Sequence, residues 1–275
     1  MNHSTVGLAD PSKSGSARAV YEIILQAYGW EKGMRVLTLM SANARDFYTG
    51  SSSVAKDVAL GEVAVGPAID FYGWTQIAQV GRETLGFRLP EKLTVITPDA
   101  IGILKGAAHP EVAQMFVDFV MSERGQKLWM FKAGVEGGPA KHSLLRMSVL
   151  PGLYETRHAA SSSVTMNPFA FAGAFKHDAV TASDRRELIA DLMTAVMIQP
   201  QKDLRACTRA VLASSRREAL LSEMTRMPVN EREGLELARD KWGDDVFRAE
   251  TTTAWGNAAR ARYRRLRAEA EDAPR

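Results

Sequence analysis

Residues 8–30, LADPSKSGSARAVYEIILQAYGW, decide how the chain is read. Ahead of Asp10-Pro11, residues 4–9 (STVGLA) are small and apolar, which predicts a short strand halted at the proline. Beyond it, Ala17, Val20, Ile24, Ala27 and Tyr28 recur at intervals of three and four. That spacing predicts an amphipathic helix from Ser14, ended by Gly29 as its C-terminal glycine. A strand, a turn and a helix in this order open an α/β unit.

Working outward, residues 36–40 are apolar enough for a second strand, followed by a polar loop over 43–50. Ser51, Ser52 and Ser53 offer caps to a short helix through Val58, which Gly61 closes. Residues 63–71 (VAVGPAIDF) read as a buried strand entering a helix over 74–80. Two further strands are predicted at 92–96 and 100–104, flanking Pro98-Asp99. Pro110 sits at the first position of an amphipathic helix whose apolar face is Val112, Met115, Phe116, Phe119 and Val120. Loops follow at 134–139, 151–152 and 166–169. After Ser183 the pattern is helical, through Leu188, Leu192 and Val196, then Leu204, Val211 and Leu212, then Leu220, Leu221 and Met224, then Leu235, Ala238 and Trp242. The expected class is α/β with an α-helical C-terminal extension.

With 275 residues, 45% hydrophobic and 24% charged, the composition is that of a globular chain rather than a disordered or coiled-coil one. Lysine and arginine total 35 against 32 acids. Six of the arginines and three of the acids fall in residues 256–275, leaving 29 of each sign in the body. A neutral body offers no footprint for a phosphate backbone, so no nucleic-acid partner is expected. One cysteine, Cys207, excludes an intrachain disulfide and a Cys-ligated metal site. No apolar run reaches the roughly 18 residues of a membrane span. The first residues, MNHSTVGLADPSKSGS, lack the charged, apolar and cleavage regions of a secretory signal, so a chain starting at Met1 is expected to stay in the cytoplasm.

Ser14, Gly15 and Ser16 form the first candidate site. Backbone N–H groups in the first turn of a helix have no intrahelical acceptor, and the helix dipole favours an anion there. The same residues also fit an ordinary N-cap turn. Residues 51–53 form a weaker site of the same kind. Asp70 and Tyr72, placed at the end of a strand, would sit where open α/β sheets bind ligands, or Asp70 would simply cap the next helix. Ser53-Val54-Ala55-Lys56 matches the S-x-x-K pattern of Ser-Lys hydrolases, but neither S-D-N nor K-T-G follows. Histidines 3, 109, 142, 158 and 177 have no metal-ligand spacing, and no P-loop or G-x-G-x-x-G occurs, so neither metal nor cofactor is expected. Arg260, Arg264 and Arg267 share a helical face that reads either as a surface for nucleic acid or an acidic membrane, or as a solvated helix paired with Glu269 and Glu271.

Residues 8–30, 43–74 (NARDFYTGSSSVAKDVALGEVAVGPAIDFYGW) and 98–129 (PDAIGILKGAAHPEVAQMFVDFVMSERGQKLW) together resemble the extracellular solute-binding proteins of ABC importers, in the ferric-iron-type group. GGPAKHSLLR (137–146) and MNPFAFAGAF (166–175) resemble later parts of that family. The resemblance implies a type II periplasmic-binding-protein-like fold of two α/β lobes, a non-catalytic role, a periplasmic location and an inner-membrane permease as partner. It implies ligand contacts from Ser14, Gly15, Ser16, Asn43, Ser52, Asp70 and Tyr72 in an interlobe cleft. Where ferric-binding members commonly show two adjacent tyrosines this chain has Phe71-Tyr72, and losing one phenolate removes a hard oxygen ligand. The implied solute is therefore a small organic anion, a phosphorylated compound or a metal chelate. By the same resemblance, residues 1–90 are the second lobe, 91–139 a returning segment of an incomplete first lobe, 140–255 the helical extension and 256–275 a basic helical tail. Strands at 92–104 without their sheet partners would then expose an open edge and apolar surface.

Overall fold

The computed structural model describes residues 5–171 and 175–273; His3, Ser4, Arg275 and residues 172–174 of the MNPFAFAGAF stretch lie outside the described residues. The chain divides into two compact units, Met1–Ile69 with Phe175–Arg275, and Asp70–Ala174. These divisions at 69/70 and 174/175 differ from the expected boundaries at 90/91, 139/140 and 255/256.

The first unit is built around strand β1 (Val6–Ala9). Helix α1 (Gly15–Tyr28) follows, capped by Ser14, and Gly29 at φ 78° ends it, a conformation in which a side chain would be strained. Helix α2 (Trp30–Ala42) comes next, where a strand was expected at 36–40. The reason is legible in a longer window. Trp30, Gly33, Met34, Leu37, Thr38 and Ser41 are buried at helical intervals, which the five residues 36–40 alone cannot show. Strand β2 (Ala44–Tyr48) then occupies what was expected to be a loop, and pairs parallel with β1, Ala9 opposite Tyr48. Its Arg45 and Asp46 are exposed, so it carries no apolar alternation to mark it. Helix α3 (Ser51–Ala59) matches expectation.

The predicted strand 63–71 shrinks to one parallel bridge, Val65 with Val6. A Cβ on Gly66 would lie 2.8 Å from the Gly7 carbonyl oxygen and 2.3 Å from Val54, so this close approach requires glycine at position 66.

In the second unit, α4 (Asp70–Val80) begins at Asp70, four residues earlier than expected. Residues 92–96 and 100–104 form no strand, since each lacks a neighbouring strand to take its hydrogen bonds. Exposed apolar surface is present there, with Ile101, Ile103 and Leu104 open to solvent. Helix α5 (Pro110–Met121) has no buried residue, although its sequence is amphipathic. Helix α6 (Glu123–Met130) contributes Met130 to a small cluster with Phe131 and Leu153.

The chain returns to the first unit with α7 (Ala179–Asp184), α8 (Arg186–Met193), a π-helical turn at Thr194–Ile198, α9 (Gln201–Ala213), α10 (Arg217–Met224), α11 (Glu231–Asp240) and α12 (Asp245–Glu271). One hydrophobic cluster joins Leu8, Tyr21, Leu25, Met34 and Leu37 to Leu192, Met197, Leu204, Val211, Tyr263 and Leu266. Residues 256–271 are thus no separate tail. They continue α12, whose Gly256, Ala259, Tyr263, Leu266 and Ala270 are buried, with the Tyr263 hydroxyl donating to the Val196 carbonyl of the π turn at 2.8 Å. Arg185, 1% exposed, donates to Glu22 at 2.8 Å and to Glu231 at 2.6 Å, tying α1 to α11.

Candidate functional site

The carboxyl ends of β1 and β2 lie side by side, because the Asp10 N–H donates to the Tyr48 carbonyl at 2.8 Å. Each strand end leads into a helix start, α1 after β1 and α3 after β2. The turn between β1 and α1 is shaped by Asp10, 7% exposed, whose carboxylate accepts from the Ser12 N–H at 2.8 Å and the Ser12 hydroxyl at 2.7 Å. Lys13 pairs with the same carboxylate at 3.4 Å. Asp10 is therefore spent on the turn, a role that Asp-Pro in the sequence suggests only as a stop signal.

Ser14 is buried, and its hydroxyl accepts from the Ala17 N–H at 3.3 Å. That bond consumes one of the free first-turn donors and leaves those of Gly15 and Ser16. Gly15 is exposed, and a Cβ placed on it would meet no atom within 4 Å. On the neighbouring helix, Ser51 is buried and Ser52 exposed. The Tyr48 hydroxyl closes one side of α3 by donating to Asp57 at 2.5 Å. Burial, then that hydrogen bond and the charge of Asp57, push the Tyr48 phenol up to about 12, so it stays a neutral donor. A helix N-terminus with open donors that follows the carboxyl end of a parallel strand can receive an oxyanion.

Of the residues named from sequence, Ser14, Gly15, Ser16 and Ser52 share this edge. Asn43 does not. It caps the C-terminus of α2 and stands where β2 begins, its carbonyl accepting from the Val6 N–H at 3.2 Å, so it lies at the opposite end of the sheet. Asp70 and Tyr72 belong to the other unit and occupy the first turn of α4, not a strand end. Burial raises the Asp70 carboxyl above its ordinary range, against backbone hydrogen bonds and the charge of Arg146, which pull it down. Tyr72 is half-buried beside Phe71, ring centroids 4.4 Å apart. Arg146, part of GGPAKHSLLR but not singled out there, lies over the Phe71 ring at 3.5 Å.

Ser53 and Lys56 sit on α3, Lys56 exposed, and no hydrogen bond joins them among the described residues. Several arginines of α12 form ion pairs. Arg264 meets Asp203 at 3.2 Å, Arg265 meets Glu223 and Glu269, and Arg267 meets Glu271 at 2.7 Å. No cluster of three or more His, Cys, Asp or Glu suited to a metal occurs among the described residues. Burial pushes the Cys207 thiol up to about 12, which keeps it a neutral core group. Among the described residues no helix is long and apolar enough to cross a membrane.

Residues 2–134 match the model of the bacterial extracellular solute-binding protein family. The phosphoglycerate transport regulatory protein PgtC of Salmonella typhimurium is 26% identical over 121 residues, which is 44% of this chain and 30% of that protein. PgtC of Salmonella typhi aligns with the same figures. An uncharacterized protein of Haemophilus influenzae is 25% identical over 123 residues, 45% of this chain and 35% of its own length. The chain thus aligns with about a third of the length of each of these relatives. No solved structure matches.

Proposed function

We propose that the chain is the solute-binding component of an ABC importer, or a part of one, and that it captures a small organic anion without catalysing a reaction. The observation that carries the reading is the shared edge of β1 and β2. There the strand β1 leads into the first turn of α1, whose Gly15 and Ser16 N–H groups suit a carboxylate or phosphate and not a cation, and the strand β2 leads into α3 with Ser52. The solute-binding family match over residues 2–134 supports a binding role, and the relative whose name refers to phosphoglycerate transport supports an acidic solute. In this reading the protein works outside the inner membrane and delivers its solute to a permease. The bound state of the whole protein is favoured over the free one only by the difference in contacts the solute makes in each.

A thermal-shift series on the full chain with 3-phosphoglycerate, glycerate, inorganic phosphate, ferric citrate and glycerol tests the class of solute. At least one of the acidic compounds raises Tm in a concentration-dependent way, and glycerol does not. A Tm that follows glycerol alone, or that none of the acids moves, contradicts the reading.

A further inference from the structure

The second unit holds an arginine arranged in an unusual way. Arg146 has its guanidinium carbon 3.5 Å from the centre of the Phe71 ring and 5.8 Å from that of Trp129. Its backbone N–H donates to the Trp129 carbonyl at 3.1 Å, which fixes the residue against the end of α6. The residue before it, Leu145, has φ 56°, a left-handed conformation that a branched side chain avoids. Such strain persists where the surroundings enforce it, and it recurs at ligand clamps.

A guanidinium laid on an aromatic face keeps its N–H donors in the ring-parallel plane, free to point outward as a fork. Among the described residues the Arg146 side chain uses that fork once, from Nη1 to Asp99 at 3.1 Å. Asp99 is 91% exposed and belongs to a segment without regular structure, so the pair is a surface ion pair of small strength. A stacked, pre-ordered arginine thus meets a weakly held, easily released carboxylate. Asp70, whose carboxyl the charge of Arg146 pulls down against the effect of burial, and Tyr72 beside Phe71 add groups suited to hydroxyls.

We infer that Arg146 is an oxyanion-binding residue, its guanidinium shelved on Phe71, and that Asp99 is a placeholder which the carboxylate or phosphate of a small solute displaces. The inference deepens the proposed function and rests on it. The solute it implies carries an acidic group for Arg146 and hydroxyls for Asp70 and Tyr72. The phenyl ring of Phe71 is the shelf for the guanidinium.

The test is a nuclear magnetic resonance titration of the nitrogen-15-labelled full chain with inorganic phosphate, glycerate and 3-phosphoglycerate. The Arg146 Nε–H and the Asp99 amide are followed together with the Gly15 and Ser16 amides. Saturable, joint shifts of the Arg146 and Asp99 signals are expected, a response to phosphate identifying the phosphoryl group and a response to glycerate the carboxylate. Asp99→Asn removes the competing carboxylate and lowers the half-saturating concentration at least threefold. Arg146→Gln abolishes the shift at Asp99. If Gly15 and Ser16 shift while Arg146 and Asp99 stay still, the assignment of Arg146 is overturned and the anion-binding reading of the first unit stands. If Arg146 and Asp99 shift alone, the assignment holds and the edge of β1 and β2 loses its role. Silence at all four positions with all three anions overturns both.

Discussion

In the first unit Leu8, Tyr21, Leu25, Met34, Leu37, Leu192 and Tyr263 are each sealed from solvent within one cluster; in the second the buried hydrophobic cluster is Met130, Phe131 and Leu153. The second unit also leaves Val112, Met115, Phe116 and Phe119 of α5 exposed, the face that their spacing marks as apolar. The contrast teaches where folding stability resides. The family match ends at residue 134, yet much of the first unit's core comes from α8 to α12, beyond that limit. Residues 5–69 supply two strands and three helices, and the helices after Ala179 cover them.

The comparison breaks first at Arg185. Truncating it to alanine leaves Glu22, whose side chain is 8% exposed, charged and without its partner. A loss of about 3–5 kcal/mol is expected, since removing one member of a buried pair strands the other. Denaturant unfolding checks this, and a loss within about 0.5 kcal/mol would mean that the contact between α1 and α11 carries little.

Paired core deletions come next. Leu37→Ala in α2, fully buried, is expected to cost about 2–5 kcal/mol. Met115→Ala in α5, 69% exposed, should change stability by no more than about 0.5 kcal/mol. Equal losses at the two positions would show that the face of α5 is covered in solution.

The smallest effect is expected at Asp70. Its carboxyl is raised in the folded chain, so the native state holds this proton at pH values where the unfolded chain, with a carboxyl near about 3.9, has released it. Stability therefore falls as pH rises through the raised value, and at neutral pH the ionised group opposes folding. Asp70→Asn should raise Tm at pH 7, and the gain should vanish below the unfolded value, where both states are protonated. A lower Tm at pH 7 would mean that the hydrogen bonds and the Arg146 charge outweigh burial.

How much of this was legible in the sequence varies by element for physical reasons. Helix α1 announced itself because one face is buried along fourteen residues between a serine cap and a glycine stop. Helix α2 was misread because a short apolar run fits either period, and only the stripe from Trp30 to Ser41 separates them. Strand β2 was missed because a two-stranded sheet leaves it an edge, where Arg45 and Asp46 face solvent. Strands at 92–104 were expected from apolar content alone, which creates no strand without a partner to pair with. At the candidate site, Ser14 to Ser16 and Ser52 were readable as helix starts. Asn43 was misplaced together with the strand that precedes it in the reading. Arg146 and Arg185 carried no local signal, since each takes its meaning from residues far away in the chain, Phe71 and Glu22.

The central claim is that an acidic solute binds at the first turn of α1. Gly15→Glu tests it most directly. The new side chain enters open space, and its charge at a helix N-terminus does not disfavour the helix, while it repels an anion from the same donors. Calorimetric titration of both full-length chains with whichever acid raises Tm should show binding at least tenfold weaker in Gly15→Glu, with Tm of the free protein unchanged or higher. Equal affinity in the two chains would contradict the account.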